Sequence, residues 1–311
     1  MTTRAIIDGP FAAYRSWVVG GATEEAAAAM FGAVVPLALR YLWLPATEVW
    51  VVWEQPGQRG LDFRRKLDPG YKARREAKPE AYLDALGELQ RALPWMGVNQ
   101  AWPREGEADD AAATLAAQAV EAGMTVELWT ADHDWLQLVL PGVSLYRTGV
   151  KEPGLVTALN IRELTGHDAR EHLALMALAG DTGDDIPGLP KIGKGRAEAL
   201  LAACPTIVAD LLDHEDSGAD AVVERQVMAS APNMLRWAQV AMQHRELLRT
   251  TRELVTLRQV DLHCVPAHPN LTAATGWLHE HGLERYVERL IAHLDPDPWL
   301  VADEPEKEPW E

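Results

Sequence analysis

Cysteine is nearly absent from this chain: Cys204 and Cys264 are the only two in 311 residues. They stand far apart and lack the paired spacing of a zinc site, so a disulfide framework and a thiolate zinc centre are both excluded. Both are expected to be reduced. No run of about 18 apolar residues occurs, which excludes a transmembrane helix. The opening MTTRAIID also lacks the charged-then-apolar order of a secretion signal. A soluble, cytoplasmic chain without a membrane partner is the expectation. Basic residues are scarce too: 29 Lys and Arg face 46 Asp and Glu, for a net charge of −17. That balance excludes a protein that is basic over its whole surface, the usual footprint of a polyanion binder.

What is present is an ordinary globular mix, 48% hydrophobic and 24% charged, enough for one large domain or a domain and a half. The scarce positive charge is concentrated. Arg59, Arg64, Arg65, Lys66, Lys72, Arg74, Arg75 and Lys78 face only Asp62, Asp68 and Glu76 in the same window. Three β-favouring runs each finish on an acid: AIID at 5–8, VWVVWE at 49–54 and VELWTAD at 126–132. Alanine-rich helical stretches at 22–43 and 109–122 separate them, the alternation of a parallel sheet with crossover helices. Ligands of such sheets bind outside the carboxyl ends of the strands, so the three terminal acids should share one edge.

Residues 57–79 are rich in Arg, Lys, Gly and Pro and form a long excursion before a helix near 79–93. Loops of that length in compact domains are usually functional or disordered. Beyond about residue 160 strand signals become scarce and helices are expected at 168–179, 194–203, 206–213 and 219–249. The final VADEPEKEPWE reads as an acidic, solvated tail.

Carboxylates recur at the inferred sheet edge. Glu107, Asp109 and Asp110 sit where a helix begins, and helix capping alone would account for an isolated ExDD. Asp132 and Asp134 follow the third strand, and Asp181, Asp184 and Asp185 lie in GDTGDD. Asp8, Glu54, Glu107, Asp109, Asp110, Asp132 and Asp134 would all converge on that edge. Two like charges about 4 Å apart repel by roughly 4 kcal/mol at an effective dielectric near 20. Such a cluster needs protons or cations, and hard oxygen donors point to Mg²⁺ or Mn²⁺. A pair of such ions suits in-line displacement at phosphorus, so phosphodiester hydrolysis is the expected chemistry. His133, alternating with two acids, is expected to point away from them. Trp53, Trp129 and Trp135 are expected in the core.

GLPKIGKG at 188–195 is one residue short of a P-loop. Gly195 stands where Ser or Thr would hold Mg²⁺, an acidic loop rather than a strand precedes it, and Asp184 and Asp185 would repel a triphosphate. A glycine hairpin between two helices, gripping a nucleic-acid backbone, fits better.

IIDGPFAAYR, WEQPGQRGLDFRRKLDPGYKARR, EADD, TADHDWLQLV and GDTGDDIPGLPKIGKGRAEALL together resemble, in order and spacing, the motifs of the 5′-to-3′ exonuclease and flap endonuclease family. The likeness runs over about residues 4–260. It implies an α/β fold: a PIN-like, mostly parallel sheet with flanking helices over 1–165, with an arch or clamp around 55–82. It also implies a helical region over 166–300 with a helix–three-turn–helix hairpin at 186–197, leaving the tail at 301–311.

By the same resemblance, Asp8, Glu54, Glu107, Asp109 and Asp110 form an inner metal group, and Asp132, Asp134, Asp181 and Asp184 a second. Tyr71, Lys72, Arg75 and Arg15 match residues that contact the scissile phosphate. Gly188, Lys191, Ile192, Gly193, Lys194, Gly195 and Arg196 form the DNA-gripping hairpin, where the family often binds K⁺. Arg64, Arg65 and Lys66 would guide the strand electrostatically. The implied cofactors are two or more Mg²⁺ or Mn²⁺ ions. The implied partner is DNA with a 5′ end or flap and adjoining duplex, with RNA primer strands and a separate DNA polymerase as further candidates. A monomer in the cytoplasm of a bacterial or phage-infected cell is expected.

Three departures stand out. Glu54 replaces the usual aspartate and reaches about 1.5 Å farther, in sites that hold ligands to within about 0.5 Å. Pro10 and Phe11 follow the Asp8–Gly9 pair, and Lys191, Lys194 and Arg196 rearrange the hairpin charges. The alternatives are a catalytically impaired DNA-binding homologue, suggested by Glu54, and a PIN-type ribonuclease, which would not need the hairpin.

Overall fold

The computed structural model describes residues 2–23, 26–45, 47–57, 59–148, 154–213 and 217–294; the tail at 301–311 lies outside them. Its centre is a seven-stranded sheet. The strands are β1 (Thr3–Asp8), β2 (Thr47–Val52), β3 (Asn99–Pro103), β4 (Thr125–Thr130), β5 (Val143–Arg147), β6 (Gly154–Val156) and, after a two-stranded ribbon of β7 (Gly180–Asp181) and β8 (Ile186–Pro187), β9 (Leu262–Val265). Their order is β6-β5-β4-β1-β2-β3-β9, with β1 to β5 mutually parallel and the two edge strands antiparallel.

Register brings the acids together. Asp8 faces Val52 across β1 and β2, and Ile7 faces Trp129 across β1 and β4, so the strands end level. Alternation then splits the core: Ile7 and Val51 pack with the helices on one face, Ile6 and Val52 with those on the other. Helices α1 (Gly9–Val19) and α2 (Ala26–Leu42) cover the first face. After α3 (Asp62–Leu67) and α4 (Glu80–Ala92), α5 (Ala108–Glu121) covers the second with its run of buried alanines.

Helix α1 is absent from the sequence-based expectation, and its start accounts for Pro10. Asp8 caps it by accepting the Phe11 N–H at 3.0 Å, and the proline occupies the first turn, where no N–H is needed. Strands β3, β5, β6 and β9 also went unpredicted, because each is only three to five residues long.

Past the sheet come α6 (Ile161–Thr165), which has no counterpart among the expected helices, and α7 (Ala169–Ala179), α8 (Lys194–Ala203) and α9 (Ile207–Asp213), close to the expected positions. The single helix expected over 219–249 is instead α10 (Ser217–Ser230), α11 (Leu235–Gln243) and α12 (Arg245–Val255). Ala231, forced extended at φ −153° ahead of Pro232, makes the first break. These helices share their own core, from Leu175 to Val255. The chain then returns: β9 pairs with β3, and α13 (Leu271–Glu280) and α14 (Val287–Leu294) bury Trp277, Leu278 and Leu290 in the first sheet face. A boundary at 165 therefore does not divide the packing, since residues 262–294 belong with the sheet. No helix among the described residues is long and apolar enough to cross a membrane.

Candidate metal centre

Asp8 is 4% exposed at the carboxyl end of β1. The Thr130 hydroxyl donates to its Oδ2 at 2.5 Å and accepts the Asp132 N–H at 2.9 Å, tying the first and third acidic motifs together. Asp109, in the first turn of α5, accepts the indole N–H of Trp135 at 2.7 Å. Trp53 and Trp135 are core residues, as expected, yet Trp135 also orients a carboxylate. Neither Thr130 nor the indole N–H carried a sequence signal beyond adjacency to Asp132 and Asp134.

These carboxylates resist ionisation together. Burial pushes Asp8 up to about 6, and burial with the nearby Glu107 charge pushes Glu54 up to about 7. Burial with the Asp132 charge raises Asp134 to about 7 and holds Asp109 well above the usual carboxylate range. Asp134 Oδ1 is buried with no hydrogen-bond partner. Oxygen donors that repel one another, with Asp134 Oδ1 left without a hydrogen bond, fit a hard divalent cation.

Glu107 behaves differently. Burial works to raise it, but Lys72 and Arg64 outweigh that and hold it below its ordinary value. Lys72 Nζ lies 2.5 Å from Glu107 Oε1 and 3.3 Å from Asp184 Oδ2, and the Tyr71 hydroxyl donates to Glu107 Oε2 at 2.6 Å. The turn carrying them is pinned to the 181–185 loop: Lys72, at φ +48°, donates its N–H to Asp184 O at 3.0 Å. Arg75 Nη1 is 4.0 Å from both Glu54 and Glu107. Glu54 itself sits two residues beyond β2 with its side chain one-third exposed. Arg15 is exposed at 5.7 Å from the Phe11 ring.

Two expected roles are corrected here. Asp110 does not face the acid cluster: both its oxygens accept from Arg64, at 2.7 and 3.0 Å, and also from the Glu107 and Arg258 N–H groups. With its side chain fully buried and these bonds made, it is an ion-pair anchor and helix cap rather than a metal ligand. Its partner Arg64 is 2% exposed and spends its remaining donors on Glu107, Leu254 O and Thr256 O, so it cannot guide a strand at the surface. Arg65 is half-buried and bonds the Tyr71 and Lys72 carbonyls. Of the three cations only Lys66 is exposed.

His133 is the third correction. Its Nε2 lies 3.4 Å from Asp181 and 3.5 Å from Asp134, and its Nδ1 3.8 Å from Asp132. The loop after β4 turns into a short 3₁₀ helix at Asp134, so strand alternation no longer applies and the ring faces the acids. The hydrogen bond to Asp181 raises the imidazole to about 9 and lowers Asp181 in return.

The hairpin runs from β8 into α8. Gly188 is structural: a Cβ there would meet Ala179 O at 2.1 Å. Ile192 is 2% exposed in the helical core, and its N–H is bonded to Leu189 O. Neither of these two presents the DNA contact expected of it. Gly193 and Gly195, by contrast, open onto free space at the exposed start of α8, beside Lys191 and Lys194. Arg196 donates to Lys191 O and lies 4.2 Å from the Trp237 ring, a pairing that sequence spacing could not reveal.

Residues 3–166 match the family model described as 5′-3′ exonuclease, N-terminal resolvase-like domain. The flap endonuclease Xni of Shewanella oneidensis is 32% identical over 220 residues, covering 70% of this chain and 74% of that protein. DNA polymerase I of Mycobacterium tuberculosis is 34% identical over 157 residues, half of this chain, which spans only 17% of the polymerase. Among solved structures, the bacteriophage T5 5′-exonuclease with bound zinc aligns with a TM-score of 0.58 at 18% identity, covering 94% of this chain and 93% of that one. At that identity the likeness shows a shared fold.

Proposed function

Because the chain belongs to the 5′-3′ exonuclease and flap endonuclease family, we propose that it hydrolyses phosphodiester bonds of DNA at free 5′ ends and 5′ flaps, with divalent cations as cofactors. One observation carries this reading: burial and neighbouring carboxylate charges, Asp8 acting on Glu54 and Asp109, and Asp132 acting on Asp8, Asp109 and Asp134, oppose ionisation of the group, while Lys72 and Arg75 reach the same cluster. When bound, Mg²⁺ or Mn²⁺ ions would supply an activated water and stabilise charge on the phosphoryl oxygens.

The chain's own groups do the rest. Lys72 is a fixed cation whose ammonium can trade a carboxylate contact for a phosphoryl oxygen without reorganising, since its backbone is already tied to Asp184. Arg75, with its side chain 42% exposed, adds a second cation at the rim, and Arg15 and Lys66 are exposed cations elsewhere on α1 and α3. The Gly193–Gly195 turn offers N–H groups at a helix start, with Lys191, Lys194 and Arg196 beside them, for a duplex phosphate. A K⁺ ion at that hairpin, RNA primer strands as substrate, a separate polymerase as partner, a monomeric state and a cytoplasmic location belong to the same proposal. A labelled 5′-flap duplex with a free or a blocked 5′ end tests it. Cleavage of the free end and protection of the blocked one are expected; equal cleavage of both would remove the 5′ end from the recognition.

A further inference from the structure

We propose that His133, giving up a ring proton to solvent, supplies the freed nitrogen to a divalent cation held with Asp132, Asp134 and Asp181, so that this second site favours a borderline transition metal over Mg²⁺. The inference rests on the metal-dependent reading above and specifies one of its sites. Ligand atoms of Asp132, His133 and Asp134 all lie within 4.8 Å of one another, and Asp181 approaches the imidazole from the opposite loop at 3.4 Å. Asp134 Oδ1 is buried, makes no hydrogen bond and faces His133 Nε2 at 3.5 Å.

Behind the ring stands a second imidazole. His172 is 5% exposed, neither of its nitrogens is hydrogen-bonded, and it packs edge-on to His133 at 5.8 Å and 88°. That wall restricts rotation of the His133 ring, while the His133 side chain is itself 52% exposed and open to an entering ion. Mg²⁺ keeps to oxygen donors in near-octahedral geometry, whereas an imidazole nitrogen shifts preference toward the later divalent metals. The Asp8, Glu54 and Asp109 side offers oxygen alone. The two halves of the centre thus differ in hardness.

Mn²⁺ and Co²⁺ are suitable probes of the full chain. Pulsed EPR of bound Mn²⁺ should show hyperfine coupling to a nitrogen in the wild type and none in H133Q or H133N. Co²⁺ affinity, measured by calorimetry, should fall in these variants on the order of 10- to 100-fold, with Mg²⁺ affinity unchanged. If Mn²⁺ binds with no nitrogen coupling, if the coupling survives both substitutions, or if Co²⁺ affinity does not change, His133 is not a ligand and this inference falls alone. If the wild type binds no divalent ion, the metal-dependent reading falls with it.

Discussion

Arg64 and Asp110 form a buried two-pronged ion pair, with Nη1 to Oδ2 at 2.7 Å and Nη2 to Oδ1 at 3.0 Å. The pair joins three parts of the chain: α3 within the basic segment, the start of α5, and the Leu254–Thr256 carbonyls at the end of α12. It sets the orientation of Glu107, which shares Arg64 Nη1 at 3.1 Å. The two adjacent aspartates of EADD therefore have opposite duties: Asp109 is held against its neighbours' charge, and Asp110 is neutralised.

Substitution should separate them. Asp110→Asn breaks a buried pair and is expected to cost about 3 kcal/mol, and Arg64→Ala about 3 to 5 kcal/mol. Asp109→Asn keeps an acceptor for the Trp135 indole while removing a repelled charge, so the metal-free protein should gain stability even as cleavage is lost. Urea unfolding in EDTA measures all three. A loss of stability in Asp109→Asn would place that residue with Asp110.

Lys72→Ala removes the ammonium between Glu107 and Asp184. Single-turnover cleavage should fall roughly 10²- to 10³-fold, the usual effect of deleting one electrostatic stabiliser of the transition state. Binding of a flap substrate, followed by fluorescence anisotropy in Ca²⁺, should weaken far less. Equal losses in both would make Lys72 a binding residue only.

The pH response has a definite sign. Asp8, Glu54 and Asp134 titrate near 6, 7 and 7 in the folded chain, above their ordinary 3.8, 4.5 and 3.8. The folded state binds more protons, so these groups stabilise it below about pH 4 and that contribution is lost as pH rises through 6 to 7. Glu107, Asp110 and Asp181, held low, act the other way, losing their contribution only as pH falls through 4 and below. In EDTA, thermal stability should therefore fall between pH 5 and pH 8. A fixed Mg²⁺ concentration, about 100 times its Kd at pH 8, should restore ~2.7 kcal/mol there and less at pH 5, where protonated carboxyls bind the ion more weakly. A Mg²⁺ effect independent of pH would separate the raised carboxyls from the metal centre.

The hairpin glycines should also divide. Gly188→Ala drives a Cβ into the Ala179 carbonyl and is expected to destabilise by about 1 to 3 kcal/mol. Gly195→Ala meets open space within α8 and should stabilise by roughly 0.5 to 1 kcal/mol, while weakening duplex binding by holding the backbone off a phosphate. Unchanged duplex affinity in Gly195→Ala would move the contact elsewhere.

Long elements with a strong pattern were legible in the sequence. The apolar runs around Ile6, Val51 and Leu128 and the alanines of α5 located the central strands and the acid-bearing edge. Short edge strands such as β6, three residues long, carry no period to detect, and β9 joins the sheet only through a partner some 160 positions earlier in the chain. At the site, residue type and spacing identified the carboxylates but not their partners. Whether Asp110 meets a cation or a metal depends on Arg64, 46 residues away. Strand alternation misplaces His133 because β4 ends at Thr130 and the chain there enters a 3₁₀ turn.

Cleavage of a 5′-flap duplex labelled at its 5′ end, in Mg²⁺ and then with excess EDTA, tests the central claim most directly. The predicted result is release of the flap in Mg²⁺, its abolition by EDTA, and no release by Asp109→Asn in either condition. An intact flap in Mg²⁺, or cleavage that EDTA leaves undiminished, would contradict a metal-dependent 5′ nuclease built on these carboxylates.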